Sequence, residues 1–424
     1  MTAPGQPMLS GYRVLDITQI VAGPTCTRLL AEAGADVIKV ELAPFGDRGR
    51  FSGLKPQGAE HRSSSQSTYN VQHNHSKLSI ALDFRNPKSR ELLRRMVPKV
   101  DVVVENFAPG VMARNGLAWA DLHPLNPGLV MCSISMAGQS GPLSQKPGFD
   151  YMAAAYAGVT SLFGEPDRPP AQFAMAIGDS YTGVSAAMAI GFALLHRERT
   201  GEGQYIEASL IDSYFHMQEV NIPRVSLRGP AGAPHRSGSL HPDGGPTGVF
   251  RYGEDEFVAI MVLPHQWTQL VAALGMPELE ADPRFGSPRA RRDNKEDMRH
   301  ILEGWLSRFP TRADAIDALE AHRVPSAPVL SVAEAMAHPH MRARGPVRTV
   351  DDTHLGRFDI PGPPVRFSAW PSNPALKADL LGENNESVLQ QVAGLSDPEI
   401  AALYEEGVLV RDKALRSSQP KGPA

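Results

Sequence analysis

One carboxylate, Asp179, stands in "AMAIGDSYTG" (174–183), and the stretch after it, Val184 to Leu195, carries no charge. Carboxylates are seldom left in apolar surroundings without a partner or a task. Three chemistries fit its type and place. As a helix N-cap it would accept a backbone amide of the apolar helix that follows. As the neighbour of Ser180 in "GDS" it would be a bystander beside a hydroxyl nucleophile, with Asp351 and His354 of "DDTH" (351–354) supplying a relay. As the reacting group it would attack an activated acyl carbon and form a covalent intermediate. The first and third roles are compatible, because the positive end of a helix favours the anion.

Other chemistries lack their residues. GDSL-type esterases place the serine just after the first strand, whereas Ser180 lies mid-chain, so that motif lacks its structural context. A nicotinamide dinucleotide site needs glycines directly after the first strand, and the first loop here reads "QIVAGPTC" (19–26). There is no GxxxxGK[ST] phosphate loop and no HExxH zinc motif. Cys26 and Cys132 form neither a disulfide framework nor a CxxC metal pair, and they suit a reducing cytosol. No metal and no nicotinamide are expected. A second acid, Asp150 in "GFD", precedes "YMAAAYAG" and reads as a helix N-cap.

Alternating strand and helix signals position these residues. The strand runs are "YRVLDIT" (12–18), "DVIKVE" (36–41), "LSIALD" (78–83), "DVVVE" (101–105) and "LVMCSIS" (129–135). Helices are expected at 25–34, at 86–97 with Asn86 as N-cap and Pro87 at the first helical position, and at about 180–197. Gly183, Ala187 and Gly191 on the last allow close packing. This order predicts an α/β, doubly wound, mostly parallel sheet, which binds ligands beyond the carboxyl ends of its strands. The loops Gln19–Pro24, Asn106–Gly110 and Met136–Gly148 follow such ends. Residues 44–76 are a long polar loop, and 221–246 read as a Gly/Pro/Ser-rich linker. A hairpin ("TGVFRYG", "EFVAIMV") and helices near 264–274, 293–308 and 312–322 form a smaller α+β domain. The expected division is 1–220 with 335–424 as the large domain and 225–330 as the small one.

The chain has 424 residues and a formal net charge of −4. That balance gives no general attraction to nucleic acid or to anionic membrane. No signal pattern and no convincing membrane span are read, so a cytoplasmic protein is expected.

Five segments then occur in a telling order: "VAGP" (21–24), "GADVIKVE" (34–41), "VVENFAPGVMARNGL" (103–117), "GDSYTG" (178–183) and "RTGEGQYIEASLID" (199–212). Together with "VPSAPVLSVAEAMAHPHMRARG" (324–345) and "LGE" (381–383), they resemble the family III CoA-transferases, which include formyl-CoA transferase, carnitine CoA-transferase and the α-methylacyl-CoA racemases. The resemblance implies a Rossmann-like large domain built from N- and C-terminal parts, in an interlocked homodimer. It implies coenzyme A, carried as acyl-CoA, and a carboxylic acid as substrates, with Asp179 as nucleophile and Asp150 beside it. "HPDGGPTG" (241–248) matches the family's glycine-rich covering loop approximately, with Gly244 and Gly245 as its flexible part; its other reading is a plain linker turn. The implied CoA contacts are Ile20, Leu82, Arg85, Asn106, Phe107 and Arg114. Phe107 would pack on the adenine and arginines would hold phosphate.

Three positions depart from or divide the family pattern. Leu42 stands where an Arg often follows the strand-two Glu, which leaves Arg48 or Arg50 to substitute. Val21 replaces the Gln that contacts the small substrate in formyl-CoA transferase, which speaks against oxalate or formate and for a larger or more apolar acid. Phe149 replaces the racemases' His in "GHD", and a phenyl ring cannot exchange a proton. The expected activity is therefore CoA transfer. The alternatives are a 2-methylacyl-CoA racemase, a Ser180 hydrolase, and an inactive CoA-binding subunit, the last disfavoured by the presence of Asp179.

Overall fold

The computed structural model describes residues 7–53, 65–368, 370 and 375–416. Six strands form one parallel sheet: β1 (Arg13–Ile17), β2 (Asp36–Leu42), β3 (Leu78–Leu82), β4 (Val102–Glu105), β5 (Val130–Ser135) and β6 (Gln204–Ser209). Their order is β3-β2-β1-β4-β5-β6. The inner strands are runs of β-branched and apolar residues covered on both faces, as parallel strands require, and every residue of β4 and β5 is buried. The order reverses between β1 and β4. Open parallel sheets form a crevice at such a reversal, beyond the carboxyl ends of the two strands.

Helices α1 (Ala22–Glu32), α2 (Thr68–Asn74) and α3 (Pro87–Met96) follow β1, β2 and β3. Asn86 caps α3 by accepting from the Lys88 amide, with Pro87 at the first helical position. The helix Ile177–Thr200 packs on α1, and Gly183 is the close approach. A Cβ there would lie 2.6 Å from the Ala22 carbonyl oxygen and 2.9 Å from Thr25 Cβ. Gly191 has open space around it within this chain, so the small-residue stripe is used at one end only.

The contacts divide the chain into two compact units. The first takes the described parts of 1–157, 175–217 and 344–424, and the second takes 158–174 and 218–343. In the first, the C-terminal segment covers the outer edge of β3. The Asn384 and Asn385 side chains accept from the Ser79 and Ala81 amides, and Leu82 bridges to Leu409. An edge strand so covered presents no free ladder. Val388, Leu389, Ile400 and Leu403 join Leu15, Ile38, Ile80 and Val103 in one core. A two-stranded antiparallel hairpin pairs Val347–Asp352 with Gly356–Pro361.

The second unit holds an antiparallel sheet, β7 (Thr247–Arg251), β8 (Phe257–Met261) and β9 (Ser326–Pro328), packed by helices around Phe250, Leu270, Leu302 and Leu319. Residues 158–174 and 335–343, expected in the large domain, belong here. Segment 158–174 is tied in by the Gly238 amide on the Gly164 carbonyl and by Arg236 on the carbonyls of Glu165 and Arg168. The expected linker 221–246 contains a helix, Asn221–Arg228. Its Pro223 sits in the first turn, where a missing amide costs nothing.

Candidate active site

Asp179 lies in the first turn of the helix Ile177–Thr200 and is partly buried. It is not the N-cap. Ala176 holds that position, and no side chain of the helix's own entry caps it. The capping acid comes from elsewhere. Asp150, the first residue of the helix Asp150–Tyr156, is only 6% exposed, and its Oδ1 accepts the Asp179 amide at 2.9 Å. Its Oδ2 accepts the Tyr214 hydroxyl, also at 2.9 Å. Gly178 is enclosed between the two. A Cβ at that position would lie 2.2 Å from Tyr214 Cε2 and 2.5 Å from Asp150 Oδ1, so the turn admits only glycine there.

The charge of Asp179 is not held down as the helix-end argument predicts. Burial, with the Asp150 carboxylate adding to it, pushes the Asp179 carboxyl up to about 7. Partial desolvation and a like charge outweigh the favourable helix end. Tyr69 of α2 faces the same region. Burial, with the charges of Asp179 and Asp47 beyond it, pushes its phenol up to about 12.

Asp179 opens onto a cavity of about 470 Å³. Its walls are the loop after β1 (19–22), Arg48, the loop after β4 (106–109), the end of β5 (134–136), the segment Lys146–Phe149, Ser144 and Leu210. The cavity thus sits at the crevice where the strand order reverses. Asn106 spans that crevice. Its Oδ1 accepts the Gln19 amide at 2.9 Å and its Nδ2 donates to the Gln19 carbonyl at 2.8 Å. Ile20 has φ +75°, a left-handed conformation that costs a β-branched residue strain. The conformation is held from below, where Asp47 Oδ1 accepts the Ile20 amide at 2.9 Å.

Asp47 belongs to a buried ionic network. Lys39 Nζ lies 3.0 Å from Asp47 and donates to the Thr18 carbonyl at 2.5 Å. Lys77 Nζ contacts Asp16 at 2.9 Å, and also Thr27 and Asn74. Burial opposes the charge on Asp16, but Lys39 and Lys77 overcome it and hold that carboxyl well below its ordinary range. Arg50 pairs Glu41 through two donors. Arg50 is therefore buried structure, and of the two expected substitutes for the missing strand-two Arg only Arg48 reaches the cavity wall.

The structure brings Ile20, Asn106, Phe107 and Asp179 together at this cavity, with Asp150 buried behind Asp179. Leu82 is fully buried in the core at the end of β3. Arg85 is largely exposed and bound to Asp83, with its Nη2 2.7 Å from Oδ2. Arg114 folds back on Gly110, one residue beyond the cavity-lining Pro109. Gly244 and Gly245 lie in the second unit, where a Cβ on Gly245 would meet the Arg291 carbonyl oxygen at 3.0 Å. Ser180 is exposed, and its hydroxyl makes no hydrogen bond among the described residues, so no relay with His354 is formed. Lys146 lies in the expected loop Met136–Gly148 but was not singled out there, and Tyr214 had no signal in the sequence. Tyr214 meets Asp150 across 64 residues of chain.

The parallel sheet thus has a crevice at its strand-order reversal, and the Asp179 carboxylate stands in the crevice wall. The profile of CoA-transferase family III matches residues 9–385. The chain belongs to CoA-transferase family III. It is an enzyme that transfers CoA and acts on CoA thioesters. It is 33% identical over 403 residues to succinyl-CoA–D-citramalate CoA-transferase of Chloroflexus aurantiacus, covering 95% of this chain and 98% of the relative. It is also 33% identical over 428 residues to formyl-CoA:oxalate CoA-transferase of Rhodopseudomonas palustris, covering 95% and 97%. The crystal structure of a CaiB/BaiF family protein from Brucella suis superposes with a TM-score of 0.78 at 33% identity, covering 91% of this chain and 99% of that one. Among the described residues no helix is long and apolar enough to cross a membrane.

Proposed function

We propose that this enzyme moves CoA from an acyl-CoA donor to a carboxylic acid acceptor through covalent intermediates on Asp179. The observation that carries the reading is the Asp179 carboxylate in the wall of the crevice cavity, on a turn whose geometry Asp150 fixes. An Asp179 oxygen attacks the thioester carbon, and the C–S bond breaks to give a mixed anhydride and CoA thiolate. The thiolate attacks the aspartyl carbonyl of that anhydride, and the donor acid leaves as its carboxylate. An acceptor carboxylate then attacks the aspartyl thioester and expels the thiolate. The thiolate attacks the acceptor's carbonyl, releasing acceptor-CoA and the Asp179 carboxylate. Each step exchanges one acyl bond for another, so the thioester's free energy is carried through.

CoA would lie along the loops after β1 and β4, with Ile20 and Phe107 as apolar contacts and the adenine on Phe107. Asn106 acts by holding Gln19. Arg48, Lys146 and Arg114 offer positive charge to the phosphates, and Arg85 would join them by exchanging Asp83 for phosphate. Leu82 serves from within the core, supporting the end of β3. Gly244 and Gly245 keep the role the resemblance implies, a flexible stretch that shields the intermediates from water. The apolar walls, Val21, Met136, Phe149 and Leu210, favour an acid larger or more apolar than formate. Phe149 shares the cavity with Asp179 and offers no proton, which supports transfer over racemisation.

The working form proposed is a doubly wound, Rossmann-like chain in an interlocked cytoplasmic homodimer. Val184, Met188, Phe192 and Leu195 support the dimer. They form an exposed apolar stripe along the Asp179 helix, with Phe192 64% exposed.

Trapping tests the mechanism. The enzyme is incubated with acyl-CoA, quenched with hydroxylamine or borohydride, and mapped by mass spectrometry. Modification at Asp179 is expected. Modification at Ser180, or full activity in Asp179→Ala, would overturn the proposal. Solvent deuterium entering Cα of a 2-methylacyl-CoA would establish the racemase instead.

A further inference from the structure

The helix that carries Asp179 starts without a cap of its own, and what replaces the cap is a chain of hydrogen bonds from two other helices. The Tyr214 phenol donates to Asp150 Oδ2 at 2.9 Å, and Asp150 Oδ1 accepts the Asp179 amide at 2.9 Å. The Asp179 amide, which has no partner within its own helix, is thereby satisfied. Tyr214 is 1% exposed, and its ring lies against Gly178 so closely that no side chain fits between them. It sits on the helix Leu210–His216, whose first residue lines the cavity. That helix is fixed in turn to the Asp179 helix by Thr182, whose hydroxyl donates to Ser213 at 2.8 Å.

We propose that Tyr214 is a positioning residue for CoA transfer: its phenol locks Asp150 in the orientation that caps the Asp179 amide, and so fixes the direction in which the Asp179 carboxylate meets the thioester. The proposal rests on Asp179 being the nucleophile. Nothing in it requires Tyr214 to touch substrate. Without the phenol, the Asp150 carboxylate can rotate and the Asp179 turn loosens, while the surfaces that bind CoA remain. The loss should therefore fall on the chemical step, because misplacement of a reacting group by a fraction of an ångström to one ångström is costly.

The test compares Tyr214→Phe, Asp150→Asn, the double variant and Asp179→Asn, all in the full-length enzyme, using an acyl-CoA that the wild type turns over. For Tyr214→Phe, kcat and the single-turnover rate of trapping at Asp179 fall about tenfold or more, while KM for acyl-CoA stays within about twofold. The double variant is no slower than the slower single, because both substitutions break the same chain of hydrogen bonds. A merely structural tyrosine would lower thermal stability and leave the kcat-against-KM split unmoved. If Asp179→Asn is inactive while Tyr214→Phe keeps wild-type kcat and trapping rate, the positioning role is wrong and the nucleophile assignment stands. If Asp179→Asn stays active, the nucleophile assignment itself fails. Additive losses in the double variant also overturn the role. Should Tyr214→Phe not fold, Asp150→Asn carries the test with the same split expected, and an unchanged kcat there refutes it.

Discussion

Replacing Asp179 by Asn should abolish activity and yet stabilise the protein, in a manner set by pH. Burial and the Asp150 charge move the Asp179 carboxyl from its ordinary 3.8 up to about 7. Such a shift means that ionising the group costs more in the folded protein than in the unfolded chain. At about 1.4 kcal/mol per unit, the ceiling on this penalty is about 4 kcal/mol. Asp179 is only partly buried and faces an open cavity, so solvent screening reduces the figure to about 2 kcal/mol. The sign follows from a raised carboxyl. Below about pH 4 both states are protonated and the penalty vanishes. It grows between about pH 4 and 7 and is complete above 7. Asn mimics the neutral acid at every pH. Urea unfolding should therefore show Asp179→Asn more stable than wild type by about 2 kcal/mol at pH 8, with the gain under about 1 kcal/mol near pH 4.

The same group must be ionised to attack, so wild-type kcat/KM should rise with pH and level off above about 7. A second buried acid could mimic this. Glu105, at the end of β4, is also pushed up to about 7 by its burial, against the pull of Ser133 and the Phe107 amide. Glu105→Gln separates the two, because it should keep the acid limb. An Asp179→Asn enzyme no more stable than wild type at pH 8, or equally stabilised at pH 4 and 8, would refute the reasoning.

Asn106→Ala removes both hydrogen bonds to the Gln19 backbone and should raise KM for acyl-CoA about tenfold with a smaller effect on kcat, read by steady-state kinetics. Asp47→Asn leaves Lys39 buried with a weakened partner and should cost about 3 kcal/mol in urea unfolding at pH 7. Burial opposes the Asp47 charge, but Lys39 and the amides of Gly49 and Ile20 outweigh it and hold the carboxyl below its ordinary value, so this difference should shrink as pH falls below about 4. Phe192→Asp places a charge in the exposed stripe and should shift the protein toward monomer in sedimentation velocity, while a stripe unconnected to assembly would leave the mass unchanged.

Local patterns carried much of the architecture. Strand runs such as "DVVVE" and "LVMCSIS" are too apolar and β-branched to sit anywhere but inside a parallel sheet, and they form β4 and β5. The order of those strands told which loops could meet, and Ile20, Asn106, Phe107 and Asp179 do line one cavity. What could not be read was the partner of each side chain. An Asp before an apolar run is a good cap by local rules, yet its turn is capped from 29 residues away, and the helix starts three residues earlier. Leu82 and Arg85 lie three residues apart near a strand end. One is drawn into the core by the returning C-terminus, and the other is held at the surface by Asp83, two residues away. The helix in the Gly/Pro-rich stretch was hidden by composition, since Pro223 marks a break anywhere but in a first turn.

The buried charges beneath the crevice explain why it stays open. A chain leaving β1 would relax toward ordinary backbone geometry, and Ile20 at φ +75° resists that at a cost of about 1–3 kcal/mol. Two independent grips offset the cost. Asp47 holds the Ile20 amide from below, and Asn106 holds both backbone groups of Gln19 from across the strand-order reversal. Asp47 can remain ionised there because Lys39 is beside it, and Lys39 is steadied by Asp16, which Lys77 holds in turn. Each charge in the chain has a partner on a different element: β1, β2, the loop after β2, and the start of β3. Removing any one leaves another uncompensated in the interior, so the network fixes the loop as a unit rather than bond by bond. The start of α1, with Val21 and Ala22 in the cavity wall and no side-chain cap, is thereby presented to the crevice opposite the turn that carries Asp179. A rigid loop on one side and a turn capped by Asp150 on the other are what a covalent transfer between bulky partners demands of its scaffold.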